Sequence, residues 1–329
     1  MEFGCHLPIF GPAATRESLI AFAREMERLG YESLWASDHI VIPHTIRSRY
    51  PYSDTGQFPL APDATFLEPL TALAVVAGVT ERAKLGTTVL VLPHRHPVLA
   101  AKTLATLDHL SGGRVILGAG VGWMREEIEL LGAPFAERGA WSDEAIRIMR
   151  ACWQDERSSF HGRFFSFDDI GCFPKPVRRD IPIWMGGHAG PALRRIVALA
   201  DGWHAAFPTA AGLEAGLALL RAECVRQKRA FDDLTITMRA GLAIRRAPGG
   251  ADRKALQGTP EEIVGDLRRF KALGVSHVLM EASYRDLAHM VRTFETFARD
   301  IRPNVKARPL PWISGGICPA TAGWRRERT

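Results

Sequence analysis

Short apolar runs separated by segments of helical period set the rhythm of this chain. Eight runs stand out: Phe3 to Leu7, Ser33 to Ser37, Lys84 to Val91, Arg114 to Ala119, Ile181 to Gly186, Gly202 to Ala206, Leu234 to Ile244 and Ser276 to Glu281. Each is rich in strand-forming residues and bounded by Gly, Pro or Asp, with stretches of three-to-four-residue apolar spacing between them. Strand and helix signals in strict alternation predict a parallel sheet. Eight such pairs in 329 residues predict a closed (β/α)8 barrel, the TIM-barrel form of the α/β class, over an open doubly wound sheet. Several helix ends are readable. Thr15 precedes a helix running to Leu29, with Gly30 behind it, and Thr259-Pro260-Glu261-Glu262 opens a helix that Gly274 closes.

Two connections are longer than a barrel needs. Ile40 to Thr65 leaves the second strand and is rich in Pro, Tyr, Ser and Asp. Gly122 to Asp180 leaves the fourth, carrying two helical stretches and then Ser158 to Pro174, where Phe160, Phe164, Phe165 and Phe167 suggest a hairpin. Long loops in compact domains usually serve as lids or binding loops, although decoration or oligomer contact is an alternative. One barrel domain is expected over residues 1–302. Residues 303–329 read as a loosely ordered basic tail, because from Ala307 onward Pro309, Pro311, Gly315, Gly316 and Pro319 leave no strand or helix period.

Composition narrows the field. An apolar fraction of 47% supports one large core. The net charge of +6 is carried mostly by the tail, where Lys306, Arg308, Arg325, Arg326 and Arg328 face only Glu327, so the body is too balanced to be a nucleic-acid footprint. Cys5, Cys152, Cys172, Cys224 and Cys318 are odd in number and form no CxxC pair, which points to reduced thiols without a disulfide framework or zinc knuckle. No apolar stretch approaches the roughly 18 to 20 residues of a bilayer span, and Met1 leads straight into Phe3-Gly4-Cys5 with no basic leader. The expectation is a soluble, cytoplasmic protein that binds neither membrane nor nucleic acid.

Barrel enzymes build their sites from the C-terminal ends of the strands. There this chain places His6 and Phe10, then Asp38 and His39, Thr87, Thr88, His94 and His96, and Gly118-Ala-Gly-Val-Gly-Trp123. Gly186-Gly187-His188 and His204 follow. Gly186-Gly187-His188 ends a strand and opens a helix, offering free backbone N–H groups and a positive dipole end to a phosphate; the plainer alternative is a tight turn. Gly118, Gly120 and Gly122 miss the dinucleotide fingerprint, because the third glycine comes one residue early. They make room either for a flat ring beside Trp123 or for close packing of strand on helix. A histidine such as His39 suits proton transfer near neutral pH, while Asp38 could equally cap the next segment and His39 bond a carbonyl.

The stretches Gly30-Tyr-Glu-Ser-Leu-Trp-Ala-Ser-Asp-His39, Lys84-Leu-Gly-Thr-Thr-Val89, Leu107-Asp-His-Leu-Ser-Gly-Gly-Arg114 and Gly118 to Trp123 occur in an order that resembles the luciferase-like oxidoreductases, especially their branch using the deazaflavin coenzyme F420. Ile183-Trp-Met-Gly-Gly187, Ala200-Asp-Gly-Trp203 and Gly258-Thr-Pro-Glu-Glu262 extend the resemblance along residues 3 to about 300. It implies reduced FMN or F420 as cofactor, a small organic substrate that is oxidised, reduced or monooxygenated, and a homodimer. It also implies that Asp38 and His39 lie against the ring with His39 catalytic, and that Gly186, Gly187 and His188 receive the phosphate. Thr88 and Val89 match a place where the family often has a non-prolyl cis peptide under the ring, and Gly120 and Gly122 fall in the same cofactor-facing set. Phe10 and Trp123, with Tyr50, Tyr52, Phe58 and Phe66, suggest an apolar substrate. Two other readings are a metal-dependent barrel hydrolase, prompted by His94-Arg-His96, and a flavin-binding protein without turnover. No metal site is expected, since Pro93 and Pro97 bracket those histidines and no partner carboxylate is identifiable.

Overall fold

The computed structural model describes residues 1–250 and 252–306. Its core is a closed parallel barrel of β1 (Glu2–His6), β2 (Ser33–Ala36), β3 (Lys84–Thr87), β4 (Val115–Gly120), β5 (Ile183–Met185), β6 (Gly202–Ala206), β7 (Thr235–Gly241) and β8 (His277–Glu281). Every strand pairs with the next. Closure comes from β8 lying beside β1, with Val278 opposite Phe3. The third strand signal, Lys84 to Val91, is broken: β3 ends at Thr87, and Leu90–Val91 resumes beside Ala119 and Gly120.

Helices α1 (Arg16–Arg28), α2 (Pro69–Ala77), α3 (Pro97–Ser111), α4 (Arg125–Leu130), α5 (Arg138–Gln154), α6 (Gly190–Leu199), α7 (Ala210–Gln227), α8 (Pro260–Ala272) and α9 (Leu287–Thr296) follow in chain order. Their faces obey the sequence pattern. In α1, Leu19, Phe22, Ala23 and Met26 recur at helical spacing and are buried, each large side chain contributing about 1.5 to 3 kcal/mol. The Thr15 hydroxyl accepts the Ser18 N–H, and Thr259 with Glu262 forms a reciprocal capping box at α8. Phe160 pairs with Phe167 in an antiparallel hairpin after α5, where the phenylalanine signal placed it. A further helical turn follows at Arg302–Lys306. The tail expected from Ala307 to Thr329 lies outside the described residues.

The barrel is filled by large rings. Trp35 stacks on Trp184 at 5.5 Å between centroids and on His204 at 5.6 Å. Gly86 and Gly4 admit the Trp35 ring, since a Cβ at Gly86 would come within 2.3 Å of it and one at Gly4 within 2.6 Å. Its indole N–H donates to Ser33 Oγ at 2.6 Å, and that hydroxyl bonds His277 Nε2 at 2.8 Å, so the buried polar atoms are satisfied. No helix among the described residues is long and apolar enough to cross a membrane.

Candidate active site

The C-terminal mouth of the barrel divides into three groups of side chains and a cover. The first group stands at the end of β2. Asp38 is buried, and its carboxylate accepts from Arg95 Nη1 at 2.6 Å, Arg95 Nη2 at 2.9 Å and the Val91 N–H at 2.9 Å. Arg95 also holds Glu68 at 2.7 Å. Burial works against the charge on Asp38, but His94 and Arg95 outweigh it and hold the carboxyl far below the ordinary range. Asp38 is therefore turned into an ion pair and orients the segment after β3. The next residue, His39, donates or accepts through Nδ1 to Glu127 Oε2 at 2.6 Å. Glu127 Oε1 accepts the Ile40 N–H at 2.6 Å and the Val41 N–H at 3.1 Å. Burial pushes the Glu127 carboxyl up, while the His39 hydrogen bond, both imidazoles and the Ile40 N–H pull harder and leave it below the usual carboxylate range. His94 sits between the two acids, with Nδ1 3.7 Å from Asp38 and Nε2 3.6 Å from Glu127.

The second group surrounds the break after β3, where the Thr88–Val89 peptide is cis. The Thr88 carbonyl accepts from Arg239 Nη1 at 2.8 Å and lies 3.2 Å from Ser37 Oγ, which meets His6 Nε2 at 2.7 Å. Arg239 leaves the end of β7, bonds Glu281 of β8 through Nε at 3.0 Å, and packs its guanidinium over Phe207 at 5.1 Å. Thr88 Oγ1 meets His204 Nε2 at 3.0 Å, and His204 Nδ1 meets Thr237 Oγ1 at 2.7 Å. Burial, then Arg239 and His277, lowers the His204 pKa to about 3, and burial with Arg239 lowers that of His6 well below its ordinary value. Both rings are neutral. They hold the frame of the mouth through single tautomers and carry no charge there.

The third group is the turn into α6. Gly187 has φ +120° and its carbonyl accepts the Trp203 indole N–H at 2.8 Å. The Gly186 N–H is spent on the Ala119 carbonyl at 2.9 Å, so Gly186 is not a phosphate donor. The N–H groups of Gly187, His188 and Ala189 have no acceptor among the described residues, and Ala189 caps α6 with no side-chain hydrogen bond. The free N–H groups thus lie one residue further on than the expected seat, at Gly187–Ala189 and not Gly186–His188. The structure also bears on Gly120 and Gly122, for which room for a flat ring and close packing were the two readings. A Cβ on Gly120 would lie 2.4 Å from Val89 Cγ2, and one on Gly122 2.7 Å from Ile128 and 2.8 Å from Val91. Protein side chains already fill that space, so these glycines serve close packing.

The segment 40–65 forms the cover. Tyr50 packs on Trp123 at 5.0 Å and Phe58 at 5.3 Å, His39 lies 4.8 Å from Phe58, and Tyr52 reaches Phe207 across the mouth at 5.5 Å. Its far end returns beside β1, where Phe10 stacks on Phe66 at 5.5 Å and meets Tyr284 at 4.1 Å. Phe10 and Trp123 therefore stand on different sides of one aromatic enclosure.

Of the six strand-end histidines, His39 and His94 share Glu127, and His6 and His204 brace the bulge. His96 caps α3 by accepting the Val98 N–H, and His188 is exposed beside Trp203. Among the described residues no three His, Cys, Asp or Glu side chains converge on a metal position. Arg95, Glu127, Arg239 and Glu281 are site residues that sequence reasoning missed. Arg239 and Glu281 could have been found, since each is a charge near the C-terminal end of an otherwise apolar strand.

Residues 1–264 match the family described as luciferase-like monooxygenase, and the chain belongs to that family. An uncharacterized protein of Mycobacterium tuberculosis is 40% identical over 184 residues, which are 56% of this chain and 63% of that protein. The match thus spans less than two thirds of that relative. An FMNH(2)-dependent dimethylsulfone monooxygenase of Pseudomonas putida is 34% identical over 42% of this chain and 38% of its own length. An F420-dependent glucose-6-phosphate dehydrogenase of Intrasporangium calvum is 26% identical over 90% of this chain and 96% of its own. Among solved structures, the monooxygenase RslO1 of Streptomyces bottropensis superposes with a TM-score of 0.74 at 21% identity, covering 92% of this chain and 99% of that one.

Proposed function

We propose that this chain is an oxidoreductase that uses reduced FMN or F420 at the mouth of its barrel to act on a small apolar substrate beneath the 40–65 cover. One observation carries the reading: the Thr88–Val89 bulge adjoins the turn into α6. A Cβ on Gly186 would touch Val89 Cγ1 at 3.5 Å. A ring resting on the bulge and a phosphate on the free N–H groups of Gly187 to Ala189 are therefore served by one continuous surface. The chemistry of those donors fits a phosphate-bearing cofactor, with unpaired backbone N–H groups at a helix start. When bound, the cofactor supplies the hydride or, as FMN, the activation of oxygen.

The chain's own residues do the rest. Arg239 fixes the Thr88 carbonyl and hence the bulge. His39, with Nδ1 engaged by Glu127, holds or moves a proton at Nε2. Phe10, Tyr50, Tyr52, Phe58 and Trp123 exclude water and favour an apolar partner. Relatives dependent on FMNH(2) and on F420 both support a cofactor of this class. Anaerobic titration with FMN and with F420, followed by absorbance and fluorescence, tests the reading and separates the two. Saturable one-to-one binding of either is the expected result; binding of neither sinks it.

A further inference from the structure

Glu127 is fully buried at the mouth, its side chain 0% exposed like that of Asp38, and it belongs to α4, outside the eight strands and their own helices. Its two oxygens are committed differently. Oε1 accepts two backbone N–H groups, Ile40 at 2.6 Å and Val41 at 3.1 Å, which are the first two residues of the cover. Oε2 faces two imidazoles, His39 Nδ1 at 2.6 Å and His94 Nε2 at 3.6 Å. An ionised carboxylate can only accept, so a neutral His39 beside it must carry its proton on Nδ1. Its lone pair is then on Nε2, which has no hydrogen-bond partner among the described residues. The ring is walled by Phe58, Phe66 and Trp123, none of which offers an acceptor to compete for that proton.

We propose that Glu127 is the positioning residue of His39: it locks the Nδ1–H tautomer, presents Nε2 to the reacting molecules as an acceptor, and ties that choice to the start of the cover. The inference rests on His39 being the reacting group, as in the function proposed above. Asp38, with Arg95 and Glu68, stands behind His94 and completes the set of charges packed against the pair. The same geometry dictates what Glu127→Gln does. The amide oxygen must stay on the Ile40 and Val41 N–H groups, because the amide nitrogen cannot accept. The NH2 group then points at His39 Nδ1, which has to become the acceptor, and the proton moves to Nε2. One isosteric change inverts the tautomer while leaving the shape of the site intact.

The test is ring-nitrogen NMR on 15N-histidine-labelled protein, with His39 assigned by its loss in His39→Asn. Spectra are recorded at alkaline pH. The wild type is expected to show Nδ1–H and Glu127→Gln to show Nε2–H, with unchanged thermal unfolding of the barrel. With reduced cofactor and a turnover substrate, kcat of Glu127→Gln falls by about 100-fold or more, the scale of a lost general acid–base group, while cofactor affinity stays within about threefold. A wild-type His39 protonated on Nε2, or the same tautomer in both folded proteins, overturns the proposal. Should Glu127→Gln fail to fold, the wild-type tautomer alone still decides. Full turnover in His39→Ala would instead sink the role of His39 in the function proposed above, and the NMR result would stand apart from it.

Discussion

Replacing Gly187 by Ala tests the phosphate seat at its most constrained atom. The backbone there has φ +120°, which an L side chain rarely adopts, and the new Cβ would come 2.6 Å from Ala192 Cβ in the first turn of α6. Strain of this kind costs about 1 to 3 kcal/mol, less than the stability of a typical domain, so the variant is expected to fold. Relief requires the turn and the start of α6 to move apart, and that displaces the N–H groups of Gly187, His188 and Ala189. Losing one hydrogen bond to a charged phosphate costs about 1.5 to 3 kcal/mol, or roughly 10- to 150-fold in affinity. Gly186→Ala is the internal control. Its Cβ finds only ordinary contacts, the nearest 3.5 Å away, and its N–H already serves Ala119, so binding should stay within about threefold of wild type. The assay titrates FMN against riboflavin, or F420 against its phosphate-free deazaflavin core, into all three proteins, with thermal unfolding recorded alongside. Gly187→Ala should weaken the phosphorylated ligand and leave the phosphate-free one nearly unchanged. Equal losses for both ligands, or normal binding by Gly187→Ala, would refute the seat.

Three other outcomes follow from the site. His39→Ala should lower turnover by about 100-fold or more and leave cofactor affinity within a few-fold, checked by steady-state kinetics beside equilibrium titration. Asp38→Asn removes one partner of a buried ion pair and should cost about 3 kcal/mol at pH 7. Because the folded Asp38 carboxyl lies far below its unfolded value, that stability is complete above about pH 4 and is lost as pH falls. The gap between wild type and variant in urea unfolding should therefore narrow by about 1 kcal/mol between pH 5 and pH 3, and a constant gap would contradict the ion pair. Glu126 accepts the Arg47 N–H at 2.7 Å and the Ser48 N–H at 3.1 Å, pinning the cover to α4. Glu126→Ala should speed limited proteolysis within residues 47–57, and unchanged cleavage would show that the pin is without effect.

The barrel was legible because each of its strands is a short apolar run between turn residues, and no long-range information is needed to see that. Where strand bounds moved, a local cause is visible. The run from Lys84 to Val91 reads as one strand, since Thr88 and Val89 are both strand formers; nothing in their side chains announces the cis peptide that splits it, and only the resemblance pointed there. Strand β5 was expected over residues 181–186 and is confined to Ile183–Met185, yet the Gly186 N–H still bonds the Ala119 carbonyl, so ladder bonding outlasts the regular strand by a residue.

The site was legible only where chemistry coincides with a strand end. His39, His94, Thr88 and Asp38 met that condition; Glu127 and Arg95 did not. Glu127 lies 88 residues from His39 and follows another glutamate at the start of a helix, where acidic residues ordinarily complement the dipole. Sequence offers no reason to choose it over Glu126, and the two diverge only because α4 lies against the barrel. One face then points Glu127 at the mouth and leaves Glu126 at the surface loop. Asp38 shows the converse. The resemblance suggested contact with a ring, but Arg95, 57 residues on, takes both carboxylate oxygens. A strand end thus selects the residues that can reach the mouth, whereas the long-range partner decides whether each one faces the reacting molecules or braces those that do.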